Sequence, residues 1–280
     1  VRYDIRYCCA FTYEQPAAES HNELRACPST DEDQTVLHAR VVATPSARVL
    51  TTTDYWGTRV DAFGVRAPHE GLEVVVEATV EVTDRPEAPT GVPVAALADQ
   101  AFLAAHRELL APSAMAAPDE AAVALAEQVA PDAKDVMGLA TALSGAVDDR
   151  VAHVPGVTEV GTSVADVLAE GSGVCQDRAH LLVALARLRG IPARYVSGYL
   201  CAGPTGQDTT THAWVEVAVP GHGWHTLDPS DGSVDNQHRI VIGRGRDYAD
   251  VPPVRGTYIG GDARTLEVAV DITEVTPVAG

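Results

Sequence analysis

A cysteine, a histidine and an aspartate in this chain stand in settings that suit acyl-transfer chemistry. Cys175 lies in the run Gly171-Ser172-Gly173-Val174-Cys175-Gln176-Asp177, at the start of a segment with helical periodicity. Unpaired N–H groups and the positive end of a helix dipole favour thiolate over thiol at such a position, and the thiolate is the nucleophile. The glycines let a substrate approach the backbone closely, and the Cys175 N–H can point at a developing oxyanion. His212 opens the alternating run His212-Ala213-Trp214-Val215-Glu216-Val217, which puts His212, Trp214 and Glu216 on one face of a strand. Asp228 closes the next strand-like run, 224–228, after the short turn Pro220-Gly221-His222-Gly223. A hairpin of that length sets His212 and Asp228 on adjacent strands within hydrogen-bonding reach. His212 would take the thiol proton and return it to a leaving amine, while Asp228 fixes the imidazole tautomer and stabilises its charged form. The expected reaction is attack of the Cys175 sulfur on an amide carbonyl to give a thioester, resolved by water or an amine.

Other reactive side chains have plainer uses. Cys8, Cys9, Cys27 and Cys201 form no CxxC pair and show no regular spacing, so neither a disulfide framework nor a zinc cage is expected. His222 and His225 straddle a turn and lack an HExxH helix, so no metal site is expected there. His180, five residues after Cys175, falls on another helix face and reads as a packing or hydrogen-bonding residue. Trp214 and Trp224 read as sheet-packing residues, with Trp214 also placed to wall a cleft two residues after the base.

The elements that must hold these residues fall into two groups. Alternation at Val1, Tyr3, Ile5 and Tyr7 and over 36–43, 49–53, 59–65 and 72–82, punctuated by turn clusters, predicts a β-sandwich-like unit. Pro86, Pro89 and Pro93 then interrupt the pattern, which sets a boundary near residue 92 and predicts domains over 1–92 and 93–280. Beyond it, helices are expected at 97–110, 120–129 and 136–147, and one after Gly173 with the apolar stripe Ala179, Leu182, Val183 and Ala186, ended by Gly190-Ile191-Pro192. Strands are expected at 193–200, 212–219 and 223–227, with 266–272 returning to the same sheet and long loops over 229–262. The class is therefore α+β. A formal charge of -19 repels phosphate backbones and anionic lipid, so neither nucleic acid nor a membrane is an expected partner. Val1 to Tyr13 shows no basic start or apolar signal core, so the expected compartment is cytoplasmic.

The segments Gly173-Val174-Cys175-Gln176-Asp177-Arg178-Ala179-His180-Leu181 and Gly190-Ile191-Pro192-Ala193-Arg194-Tyr195-Val196-Ser197-Gly198-Tyr199 resemble the core of bacterial transglutaminase-like proteins. So do the His212 and Asp228 segments and the late stretch from Gly245 through Arg246, Tyr248 and Pro253 to Gly256. His21-Asn22-Glu23-Leu24-Arg25 and Asp54-Tyr55-Trp56-Gly57 resemble the β-rich domain that precedes that core. The resemblance implies a papain-like transglutaminase core, helices packed on an antiparallel sheet, with no metal and no organic cofactor. It implies a peptide or protein amide as substrate, with Cys175, His212 and Asp228 as the triad. Gln176, Asp177 and Trp214 are candidates for oxyanion or supporting roles, and Arg246 and Tyr248 for residues of a substrate loop. Two departures stand out. Position 178, expected to be aromatic, is Arg178, which either tunes the thiol or pairs with Asp177 or another acid. The turn 228–232 reads DPSDG where DPTNG-like residues are expected. The competing class is a catalytically silent interaction module of the same fold, against which the presence of all three triad residues argues.

Overall fold

The computed structural model describes residues 1–83, 87–201, 210–230, 239–260 and 263–275. Three four-stranded antiparallel sheets and a group of helices make an α+β fold. Strict alternation in β1 (Arg2–Ala17) buries Tyr3, Ile5, Tyr7 and Cys9, and β1 lies between β14 (Ala263–Val275) and β6 (His69–Val82), with β3 (Gln34–Thr44) beyond β6. A second sheet runs β13 (Val254–Ile259), β2 (Glu19–Leu24), β5 (Arg59–Val65) and β4 (Leu50–Thr53). Leu24, Phe63 and Val65 from this sheet share one core with Tyr7, Leu72 and Val76 from the first, which makes the two a sandwich.

The third sheet runs β11 (Gly223–Leu227), β10 (Thr210–Val219), β9 (Ala193–Leu200) and β12 (Arg239–Gly245). Helix α5 (Cys175–Leu188) packs on it, flanked by α2 (Glu120–Gln128), α3 (Val136–Arg150) and α4 (Val164–Glu170). Every residue of α5 from Asp177 to Arg187 is buried, so the apolar stripe read from the sequence is one side of a helix enclosed all round. Its end is set by Gly190, at φ 74, with the Ile191 N–H donating back to the Ala186 carbonyl at 2.9 Å.

The pattern-based reading differs from the structure in four places. Residues 266–272 do not return to the third sheet; β14 pairs along β1, with Phe11 opposite Leu266, because alternation marks a strand without naming its partner. Residues 229–262 contain β12 and β13 rather than loop alone, and Asp231 and Gly232 of the DPSDG turn lie outside the described residues. Residues 97–110 form α1 (Gln100–Ala105) between two 3₁₀ turns, since the Asp99 carboxylate caps the Phe102 N–H at 2.8 Å and starts the helix late. Strands β13 and β14, on the far side of the boundary near residue 92, pair with sheets on its near side.

The sandwich meets the third sheet along β12. The Gln34 side chain donates to the Val241 carbonyl at 2.7 Å and accepts the Val241 N–H at 2.8 Å, standing in for a neighbouring strand at an edge that has none among the described residues. Beside it, Asp31 pairs with Arg244 at 2.7 Å, and Arg244 in turn with Glu216 at 2.8 Å.

Candidate active site

Helix α5 starts at Cys175 because its first turn is capped from inside. Val174 is the N-cap and has no side-chain acceptor, so the Asp177 carboxylate reaches back to take the Val174 N–H at 2.8 Å. The same oxygen accepts the Thr158 hydroxyl at 2.6 Å. A Cβ on Gly173 would lie 2.9 Å from that carboxylate, so glycine is required there. Cys175 is thereby fixed at the first helical position, half-buried, among N–H groups that have no intrahelical acceptor.

His212 lies on β10 and Asp228 just past the end of β11. Register pairs Val215 with Leu227, so Asp228 leaves the ladder at the level of Trp214 and turns toward His212. His212 Nε2 donates to Asp228 Oδ2 at 2.7 Å. The same oxygen accepts from Arg239 at 2.9 Å, and Oδ1 accepts the Ser230 N–H at 2.9 Å. Burial alone would lower the His212 pKa, but the hydrogen bond to Asp228 and the nearness of Cys175, with the charge of Asp228, raise it to about 10. Burial would likewise raise the Asp228 pKa, yet His212, Arg239 and the Ser230 N–H together lower it to about 2. With Nε2 committed to Asp228, Nδ1 is the ring nitrogen left for the sulfur. The Trp214 ring stacks against His212 at 6.2 Å between centroids and is fully buried. Gly198 makes room for it, since a Cβ there would overlap the Trp214 ring and the Ile240 carbonyl.

The remaining sequence candidates separate. Asp177 supports the helix start through its two hydrogen bonds, and Gln176 is a half-buried residue of the same turn. Trp214 lies under the imidazole instead of walling a cleft. Arg178 turns away from Asp177: it donates to Asp148 at 2.9 Å, to the Pro229 carbonyl at 2.9 Å and to the Val151 carbonyl, so it clamps the turn that carries Asp228. Arg246 pairs with Asp250 at 2.9 Å and faces Trp56. It follows Gly245, which pairs with Tyr195, while His212 pairs with Gly198. At about 3.3 Å per residue that offset is about 13 Å along the sheet, too far for contact with the triad. Tyr248 meets Tyr195 edge-on at 6.4 Å, and its N–H donates to His180 Nε2 at 3.1 Å. Burial lowers the His180 pKa to about 4, which keeps the ring neutral and able to accept that bond. His225 donates to the His222 carbonyl at 3.1 Å, so the pair does not converge on an ion. Sequence reasoning missed Arg239, Thr158 and the clamping role of Arg178; Arg239 lies in a stretch read as loop, and the other two act across distant segments.

Residues 123–229 match the sequence model of the transglutaminase-like superfamily, and residues 3–81 that of the bacterial transglutaminase-like N-terminal region. An uncharacterized protein of Mycobacterium leprae is 34% identical over 280 residues, covering 98% of this chain and 99% of its own. An uncharacterized protein of Mycobacterium tuberculosis is 31% identical over 293 residues, covering 97% of this chain and 92% of its own. A solved structure from Cytophaga hutchinsonii, described as a candidate cysteine protease, has the same fold: the TM-score is 0.76 at 23% identity, over 100% of this chain and 94% of that one.

Proposed function

Because the chain belongs to the transglutaminase-like superfamily, we propose that it is a cysteine enzyme that takes the acyl group of a peptide or glutamine-type amide as a thioester on Cys175. The observation that carries this reading is the His212–Asp228 pair, closed by Arg239, with Cys175 close enough to His212 to help raise the imidazole pKa. His212 Nδ1 takes the thiol proton, and the raised imidazole pKa keeps that proton on the ring as the sulfur attacks the carbonyl carbon. The first-turn N–H groups of α5, that of Cys175 foremost, face the charge that develops on the carbonyl oxygen. Collapse of the tetrahedral species breaks the C–N bond, and His212 gives its proton to the departing amine. Water or a second amine, activated by the now neutral imidazole, then attacks the thioester and regenerates the thiol. Asp228 holds the ring through both halves and stabilises its charged form. No step calls on a metal or an organic cofactor.

The test is a peptide library carrying glutamine and backbone amides, incubated with a labelled primary amine and either the wild type or Cys175→Ala. Free acid indicates hydrolysis and incorporated label indicates transfer; the variant should give neither. A wild type no faster than Cys175→Ala, whose Cys175 is alkylated at pH 6 no faster than an exposed model thiol, would overturn the reading and leave the silent interaction module.

A further inference from the structure

Beside Cys175 runs a segment that the triad does not use. β7 (Ala152–His153) pairs in parallel with β8 (Ser172–Gly173), and the Val154 N–H donates to the Gly173 carbonyl at 3.0 Å. Four residues later the Thr158 hydroxyl donates to Asp177 at 2.6 Å. Both anchors lie at the N-terminal end of α5, since Gly173 precedes the helix and the Asp177 carboxylate reaches back to the Val174 N–H, so the intervening loop is tied to the helix end where Cys175 stands. This loop turns its apolar side chains outward: Val154 is 38% exposed, Val157 51% and Val160 66%. Single exposed valines are ordinary on a protein surface, but three within seven residues, on a loop anchored at the end of the helix that starts with Cys175, are an unusual concentration of exposed apolar side chains. The loop is shaped to present them, with Gly156 and Gly161 at φ 79 and 101 allowing its reversals. The exposed charge near it in sequence has both signs, with Glu159 between two of the valines and Asp149, Arg150 and His153 before the first.

We propose that the 154–160 loop is the apolar rim on which the acyl-donor peptide lays an aliphatic side chain, that of the residue next to the reacting amide. This inference rests on the triad reading above and names the substrate class for it. An apolar side chain is removed from water by Val157 and Val160 as the amide meets the sulfur, whereas Glu159 and the net charge of -19 disfavour a donor with an acid at that place.

The experiment measures kcat/KM for peptides identical but for leucine, serine or aspartate beside the reacting amide, with the wild type and with Val157→Ser/Val160→Ser. The wild type should favour leucine over serine by roughly tenfold or more, as small apolar contacts do, with aspartate lowest. In the double variant the leucine-to-serine ratio should collapse toward one. If thermal melting shows that the serine pair unfolds, Val157→Thr/Val160→Thr, of matching shape, reads the same ratio. Iodoacetamide, too small to span the rim, reports the triad separately through the alkylation rate of Cys175. Equal turnover of the leucine and serine peptides by the wild type, or a ratio unchanged in the variant, overturns the rim while rapid alkylation leaves the triad standing. No turnover of any peptide together with slow alkylation overturns both.

Discussion

Asp228 is where the chemistry of single residues converges. One carboxylate oxygen takes hydrogen bonds from both His212 and Arg239, and the other takes the Ser230 N–H. The signs follow from the shifts. His212 is raised from the ordinary 6.5 to about 10, so its charge and the stability that charge adds are complete below 6.5 and are lost as pH rises through about 10. Asp228 is lowered to about 2, so its contribution is complete above the ordinary carboxylate range and is lost as pH falls through about 2. Under the proposed mechanism, protonated His212 must serve the leaving amine, which puts the alkaline limb of kcat/KM near 10. Asp228→Asn keeps the shape of the side chain and removes its charge. Its alkaline limb should move down toward neutral pH, with kcat reduced by about 10²- to 10⁴-fold; a pH–rate profile of the variant that keeps the wild-type limb would contradict this. The places of Cys175, His212 and Asp228 in the fold were legible in the sequence because each is a local setting: a glycine-rich helix start, a strand start and a hairpin end. Arg239 was not, because its partner lies 11 positions earlier and only the arrival of β12 brings them together.

At the scale of elements, the site depends on how α5 and the third sheet are built. The helix could be read from its stripe and its Gly190-Ile191-Pro192 stop, both local signals. The alternation of β10 could be read as well: Ala213, Val215 and Val217 join the core under α5, while Trp214 packs with Val196 and Val241 on the opposite side. What β9 contributes could not, since Gly198 matters through the Trp214 ring and the Ile240 carbonyl that crowd it from the two neighbouring strands. Gly198→Ala should therefore displace the ring that supports His212. A loss of roughly 1–3 kcal/mol from overpacking is expected, read by urea unfolding, with a changed near-ultraviolet dichroism from the tryptophan. Residues 97–110 show the limit of periodicity: the apolar spacing predicts one helix, but the Asp99 cap divides the stretch.

For the whole molecule, the sandwich and the third sheet are joined by polar contacts as well as by a shared core. Tyr199 and Ile240 from the third sheet lie in the same cluster as Tyr7 and Leu72, and the Tyr199 hydroxyl donates to the Ala26 carbonyl at 2.7 Å. Gln34 occupies the edge of β12, the strand that delivers Arg239 to Asp228. Gln34→Leu would strand the buried Val241 N–H, at a cost of roughly 1–3 kcal/mol, measurable as a lower urea midpoint. Loosening β12 should also reduce turnover, because Arg239 starts that strand; full activity in a destabilised variant would show that the sandwich edge and the site are independent.

The sequence by itself determined the fold class, the place of Cys175 at a helix start and the hairpin that pairs His212 with Asp228, because each depends on neighbours a few residues away. Only the tertiary structure decided the partners of β13 and β14, the third ligand of Asp228 and the loop tied beside Cys175. Those depend on contacts between segments far apart in the chain, and periodicity records which face of an element is buried, not what buries it.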